Sequence, residues 1–199
     1  MKAKLVSSGA LKTITWYRTP PLTNFYTIWF SVLAVTVVAA VIDFRTHKIP
    51  NWLTVPAVLS AILLRILLGG WAGAKASLEG VGLALVLLLP LVLLRALGAG
   101  DWKLMGAVGA FLGPVMLLFI LFGSIMASGL MAAVEMARTK RVEETFRNMI
   151  VLVRGFMSFG LRKNPQISLD NPRLLKLPFG VAVAASTAAC FCVARLSLY

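Results

Sequence analysis

Residues 97–113 read LGAGDWKLMGAVGAFLG and place an aspartate and a lysine inside one of the most apolar parts of the chain. Asp101 follows glycines at positions 98 and 100, and the glycine spacing resumes at 106, 109 and 113. Because glycine has no Cβ, this spacing indicates that the backbone comes close to another group. What it approaches depends on the medium that surrounds the segment.

The composition places the chain in a membrane. Of its 199 residues, 59% are hydrophobic and 14% are charged, whereas about 25% of the residues of an average soluble domain are charged. The mean hydropathy of +0.88 points the same way. Several apolar stretches reach the length of about 20 residues that a helix needs to cross a bilayer. The sequence therefore predicts an all-α, polytopic membrane protein with about six transmembrane helices.

The apolar runs also predict how the chain is divided. Gly113-Pro114 separates the long run 104–137 into a hairpin of two spans, because proline removes a backbone donor and disfavours helix at the preceding residue. Residues 1–24 form a polar, basic tail, so no cleaved secretory signal is expected. Residues 25–199 form the membrane domain, with a basic loop at 138–176. The predicted spans are 25–42, 52–68, 78–97, 104–113, 114–137 and 179–196.

The distribution of charge predicts a membrane partner rather than a nucleic acid. The net charge is +13, and nine of the twenty basic residues lie in the loop 138–176 beside three acidic residues. Such a loop is typical of the cytoplasmic face, next to anionic lipid. Six spans then place both termini outside, although the tail contributes four basic residues to that side. Within the loop, residues 146–163 form either an interfacial amphipathic helix or a seventh span.

The sequence offers little material for metal or nucleophilic catalysis. His47 is the one histidine, so neither a Ser-His-Asp set nor a multi-histidine metal site is expected. The two cysteines, Cys190 and Cys192, do not form a Cys-x-x-Cys motif and are interpreted as small apolar residues. We therefore predict no metal and no cofactor.

Two of the seven carboxylates lie at the predicted cytoplasmic ends of spans. Asp43 ends the first span and Asp101 begins the fourth. Each has a structural interpretation, Asp101 as a helix N-cap and Asp43 as an ion-pair partner of Arg45 or Lys48. Together they allow another chemistry, since two neighbouring carboxylates share a proton. One then acts as a general base for water while the other polarises a peptide carbonyl, and the glycines beside Asp101 leave room for an extended peptide.

Two motifs in this chain resemble those of the type IV prepilin peptidases. GAGDWKL at 98–104 resembles the Gly-x-Gly-Asp-x-Lys-Leu motif of that family, and DFRTHKIPN at 43–51 resembles its second aspartate motif. A glycine-spaced span at 104–113 and the Leu-Pro-Phe-Gly stretch at 177–180 are further similarities. The resemblance covers residues 41–137 and 177–182.

This resemblance implies an aspartic endopeptidase of the inner membrane. Asp43 and Asp101 correspond to the catalytic pair, and Gly98, Gly100 and Lys103 to the motif that shapes the site. The implied substrate is a type IV pilin-like precursor, cut after its leader on the cytoplasmic side, with membrane lipid as the other partner. The cysteine-rich cytoplasmic domain of long members is not found here, so the chain resembles the short, tight-adherence type. No methyl-donor motif is identified.

Two other functions remain open from the sequence. Carboxylates within a membrane also serve as relay groups, so Asp43 and Asp101 are compatible with a small ion or proton-coupled transporter. A non-catalytic pilus assembly subunit that keeps the same fold is the third possibility. Neither explains the Ile-Pro-Asn and Gly-x-Gly-Asp motifs as well as a peptidase does.

Overall fold

The computed structural model describes residues 22–93, 97–139 and 178–196, which contain helices and no strand. Four helices in these ranges are long and apolar enough to cross a membrane. This confirms the predicted all-α, polytopic membrane architecture. Most of the basic loop, including the predicted interfacial helix at 146–163, lies outside the described residues, as does most of the N-terminal tail. The helices are α1 (Leu22–Thr46), α2 (Asn51–Leu93), α3 (Ala99–Leu112), α4 (Pro114–Thr139) and α5 (Phe179–Leu196).

Helix α2 reverses its direction at Gly70. A straight helix of its 43 residues would be about 65 Å long, roughly twice the bilayer core. Gly70 instead has φ 56° and ψ −141°, outside the helical region. A Cβ on Gly73 would collide with the backbone carbonyl of Arg65, although residues eight apart in a straight helix are separated by about 12 Å. The reversal lies between the predicted spans 52–68 and 78–97, in a segment that contains glycines at positions 69, 70 and 73.

The short helix α3 is the centre of the bundle. Its residues 104–111 are all buried, and it contacts each of the other four helices. Its closest neighbour is the second half of α2, where a Cβ on either Gly80 or Gly109 would overlap the carbonyl of the other glycine. A helix surrounded on all sides must be apolar or small throughout. This explains why its sequence contains alanine, glycine and large apolar residues in place of an amphipathic stripe.

Gly113 ends α3 and starts the turn into α4. It adopts φ 83°, a left-handed conformation that favours glycine, and Pro114 is the first residue of the next helix. The hairpin predicted at Gly113-Pro114 is therefore present. The outer surface of the bundle consists largely of exposed apolar side chains, for example Phe30, Leu67 and Val86. Such a surface is expected where lipid replaces water as the solvent.

Candidate functional site

Asp43 lies in the last turn of α1 and is only 5% exposed. Its Oδ2 accepts a hydrogen bond of 2.7 Å from the backbone N–H of Gly180, the second residue of α5. The helix ends three residues later at Thr46. The next residue, His47, takes a φ of 51° and donates its N–H to the Asp43 carbonyl at 2.8 Å. Asp43 is therefore held between two helices. The sequence allowed an ion pair between Asp43 and Arg45 or Lys48, but both of those side chains are exposed. The buried carboxylate is instead bonded to the backbone of α5.

Gly180 is a member of this site that the sequence interpretation did not assign. A Cβ at this position would lie 3.1 Å from both the Cβ and Oδ2 of Asp43, and 3.4 Å from the carbonyl oxygen of Ala39. The available signal was the Leu-Pro-Phe-Gly stretch, which begins the last helix. Because α5 starts at the end of the bundle where α1 finishes, its first free N–H groups point at the carboxylate.

Asp101 lies in the first turn of α3, three residues after the N-cap. The N-cap itself is Gly98, so the interpretation of Asp101 as the capping residue is wrong. The backbone N–H of Gly98 does hydrogen-bond to the Asp101 carboxylate. Asp101 precedes the buried part of α3 and lies outside the four long apolar helices. Burial, aided by the negative charge of Asp43, raises the pKa of Asp101 to about 7, against the opposing effect of the Gly98 hydrogen bond.

The two aspartate motifs pack directly on each other. A Cβ on Gly100 would lie 2.8 Å from the carbonyl oxygen of Ile49 and 3.2 Å from its backbone nitrogen. Beside this contact, Lys103 donates a hydrogen bond of 2.8 Å from Nζ to Oδ1 of Asn51. The loop that follows Asp43 is thus joined to the helix that carries Asp101. Both carboxylates consequently lie at the same end of the bundle.

The glycines of the motif have a different use from the expected one. The sequence suggested that Gly98 and Gly100 leave room for a peptide beside Asp101. In the structure, the space beside Gly98 is taken by the Asp101 carboxylate itself, 2.8 Å from the Cβ that a larger residue would add. The space beside Gly100 is taken by the backbone of Ile49. These glycines therefore allow the protein to pack against itself and bring its two motifs together.

The remaining polar candidates lie in ordinary surroundings. Glu79 forms an exposed ion pair with Lys75, 3.8 Å apart, and His47 is exposed. Both cysteines are free thiols. Across residues 22–93, 97–139 and 178–196, no group of three or more histidine, cysteine or acidic side chains could hold a metal ion.

The arrangement offers one kind of chemistry. Two largely buried carboxylates lie at one end of the bundle, and the charge of one acts on the other. In general, two carboxylates within hydrogen-bonding reach do not readily carry two negative charges, and such pairs share a proton. A pair that shares a proton contains both a base and an acid. In this protein the Asp43 carboxylate is held by the backbone N–H group of Gly180.

Comparison with known proteins gives one match. The sequence model of the type IV leader peptidase family, Peptidase_A24, matches residues 28–133, which is more than half of the chain. The matched range contains both aspartates and both motifs, whereas α5 with Gly180 lies beyond it. Neither a curated protein nor a solved structure matches the chain.

Proposed function

The chain belongs to the type IV leader peptidase family, and we propose that it is an aspartic endopeptidase that removes the leader from type IV pilin-like precursors. The observation that carries this proposal is the direct contact between the two aspartate motifs in the folded protein. Gly100 packs on Ile49, Lys103 bonds to Asn51, and the charge of Asp43 acts on Asp101. A transporter would have no evident need for this fixed arrangement at one end of the bundle.

In the proposed reaction, Asp43 and Asp101 act as a pair that holds one proton. The ionised carboxylate removes a proton from a water molecule, whose oxygen attacks the scissile carbonyl while the protonated carboxyl donates to the carbonyl oxygen. The gem-diol intermediate then collapses. As the C–N bond breaks, the amine leaves with the proton that the base took from water, and one hydroxyl of the gem-diol returns its proton to the other carboxylate, so that the acid product forms and the pair again holds one proton. The raised pKa of Asp101 supports this scheme, because it keeps one proton on the pair near neutral pH.

We further propose six membrane crossings with the site on the cytoplasmic side. The reversal at Gly70 gives α2 two crossings, and the buried part of α3 supplies the short fourth one. With α1, α4 and α5 the proposed total is six crossings, formed by the four long apolar helices and the short α3. The basic loop 138–176 follows α4 at the same end as the aspartates, and its charge favours the cytoplasm.

Cysteine labelling tests this orientation. In a variant that lacks Cys190 and Cys192, single cysteines at Thr46 and Ala99 should react only with reagents that enter the cytoplasm. A cysteine at Trp71, which is 83% exposed and next to the reversal in α2, should react from outside. Labelling of positions 46 and 99 from opposite sides of the membrane would contradict both the topology and the shared site.

We infer the substrate from the proposed position of the site at the membrane surface. A precursor whose hydrophobic helix is already inserted would present the junction with its leader at the membrane surface, where the aspartates lie. We expect the chain, expressed with a pilin-like precursor from its own genome, to shorten that precursor at one site just before the hydrophobic segment. Gel mobility and N-terminal sequencing of the product measure the cut. A precursor whose hydrophobic segment is interrupted by charged residues should remain uncut.

Failure to cut any such precursor, by a correctly inserted enzyme, would contradict the proposed substrate. Equal cleavage of the interrupted precursor would indicate a peptidase that does not depend on a membrane segment.

A further inference from the structure

A hydrogen bond between two side chains links the first turn of α3 to the start of α2. Nζ of Lys103 donates to Oδ1 of Asn51 at 2.8 Å. Asn51 is the first residue of α2, and the carbonyl of Pro50 accepts the first backbone bonds of that helix, from residues 53 and 54. The side chain of Asn51 is thus turned to α3, while the preceding backbone begins its own helix.

Two more contacts hold the same turn of α3. A Cβ on Gly100 would lie 2.8 Å from the carbonyl oxygen of Ile49. Trp102 donates a hydrogen bond of 2.9 Å from Nε1 to the carbonyl oxygen of Leu85, in the second half of α2. The residues on both sides of Asp101 are therefore in contact with other parts of the chain, and these contacts restrain the rotation of the turn about the helix axis.

The order of these residues around α3 gives their contacts a direction. Successive residues of an α-helix are about 100° apart. Gly100 and Lys103 are therefore about 60° apart and lie on one side of the helix, towards the loop between α1 and α2. Asp101 and Lys103 are about 200° apart, and residues at this spacing do not face each other. This geometry favours a hydrogen-bonding role for Lys103 over a direct effect of its charge on Asp101.

Asn51 is also connected to the other aspartate. Asp43 lies in the last turn of α1, and Asn51 ends the loop that follows it. That loop is braced by a hydrogen bond of 2.8 Å from the N–H of His47 to the carbonyl of Asp43. Oγ1 of Thr46 donates a second one, of 3.0 Å, to the carbonyl of Lys48. A change in the contact between Asn51 and α3 would therefore alter the placement of the two aspartates relative to each other.

We propose that Asn51 is a positioning residue of the peptidase, which fixes the rotation of the first turn of α3 by accepting the hydrogen bond from Lys103. The position of the Asp101 carboxylate relative to Asp43 depends on this rotation. The inference rests on the proposed peptidase function. It gives Lys103 the part of a hydrogen-bond donor and explains why an asparagine follows Ile49-Pro50 in the first aspartate motif.

Asn51→Leu tests the role of Asn51. It keeps the approximate size of the side chain but removes the acceptor, and we expect kcat for cleavage of a pilin-like precursor to fall about fivefold with KM unchanged, because a small misplacement of a catalytic group slows the chemical step. Asn51→Asp keeps an acceptor oxygen and should restore most of the lost activity. Asn24→Leu, in the first turn of α1 at the opposite end of that helix, is the matched control and should cleave like the wild type.

Thermal unfolding in detergent distinguishes positioning from support of the fold. Asn51 is exposed, and substitutions at exposed positions usually change stability little. The melting temperature of Asn51→Leu should therefore equal that of the wild type while kcat falls. A lower melting temperature together with lower activity would overturn the proposal, because Asn51 would then be a structural residue.

Removing the donor tests whether the two side chains act together. Lys103→Met should lower kcat by about the same factor as Asn51→Leu, and the double variant should be no worse than either single variant, because both changes break one hydrogen bond. Losses that multiply in the double variant would overturn the proposal. Lys75→Met controls for the loss of a positive charge, since it removes a lysine from an exposed ion pair with Glu79.

The pH profile of kcat distinguishes a hydrogen bond from a charge effect. If the charge of Lys103 acted on Asp101, Lys103→Met would shift the acid limb to higher pH, because a carboxylate that loses a nearby cation binds a proton more readily. We expect both limbs to stay in place while the whole profile falls, in Lys103→Met as in Asn51→Leu. A shift in Lys103→Met that Asn51→Leu does not show would overturn the proposal.

The outcomes separate this inference from the proposed function. If the wild type cleaves the precursor and Asn51→Leu cleaves it equally well, the positioning role is wrong and the peptidase assignment stands. A rise in KM with kcat unchanged would also overturn the positioning role, since Asn51 would then contact the substrate. If the wild type, correctly inserted, cleaves no precursor, the proposed function and the positioning role both fail.

Discussion

Asp43→Asn and Asp101→Asn are each expected to lower kcat/KM for precursor cleavage by about 10⁴-fold or more, and the double variant to be hardly worse than either single variant. Asparagine keeps the shape of aspartate but can neither remove a proton from water nor donate one to the carbonyl oxygen. Because both steps need the same pair, losing one carboxylate disables the reaction almost as completely as losing both. Mobility shift of a co-expressed precursor, followed by kinetics with purified protein, measures the effect.

A matched control for this experiment removes a carboxylate elsewhere. Glu79→Gln abolishes an exposed ion pair with Lys75, and a pair of this kind contributes about 1 kcal/mol or less to stability. Its cleavage activity should therefore equal that of the wild type. All variants should reach the membrane in similar amounts, since neither aspartate belongs to the apolar surface. Substantial cleavage by either single asparagine variant would contradict the pair and favour a non-catalytic or transport function.

Gly180→Ala is expected to lower cleavage by about fivefold, although residue 180 lies 137 positions from Asp43 and outside the matched family range. The added methyl would lie 3.1 Å from both Cβ and Oδ2 of Asp43, so either α5 or the carboxylate must move. A displacement of about 1 Å can reduce catalysis about 100-fold, so a shift of a few tenths of an ångström should cost about fivefold. The effect should fall on kcat, because the substrate would still bind.

The control for this substitution is Gly82→Ala, another glycine within a helix. No atom lies within 4 Å of the Cβ that this change adds, and alanine is the better helix former. Gly82→Ala should therefore keep full activity and equal or higher thermal stability. If Gly180→Ala also retained wild-type activity, the contact between α5 and Asp43 would not be needed to hold the carboxylate in place.

The sequence by itself determined which parts of this protein form long apolar helices. Long apolar runs, a break at Gly113-Pro114 and glycines at 69–73 are local features, and a helix in lipid must satisfy its own backbone hydrogen bonds wherever such a run occurs. The membrane helices were predictable for this reason, although their ends were not. Helix α1 continues beyond the predicted end at residue 42 to Thr46, and Leu97, the predicted last residue of the third span, is not helical.

The sequence also identified Asp43 and Asp101 as the candidate pair, because a charge inside an apolar chain is costly and therefore conspicuous. It could not show what the neighbouring glycines contact. Gly100 contacts Ile49, and Gly109 contacts Gly80. In each pair, backbone from a distant part of the chain occupies the space that a Cβ would take. The spacing of glycines predicts that the backbone comes close to another group, but it does not identify that group.

Only the tertiary structure decided that Gly180 holds Asp43 and that the hydroxyl of Thr54 is buried without a hydrogen-bond partner. Both facts depend on how α2, α3 and α5 pack around the ends of their neighbours. Packing between helices is set by contacts over the whole bundle, so residues far apart in the chain become partners without any local pattern. Glycine and threonine are also common in apolar helices, and neither stands out there as a buried carboxylate does.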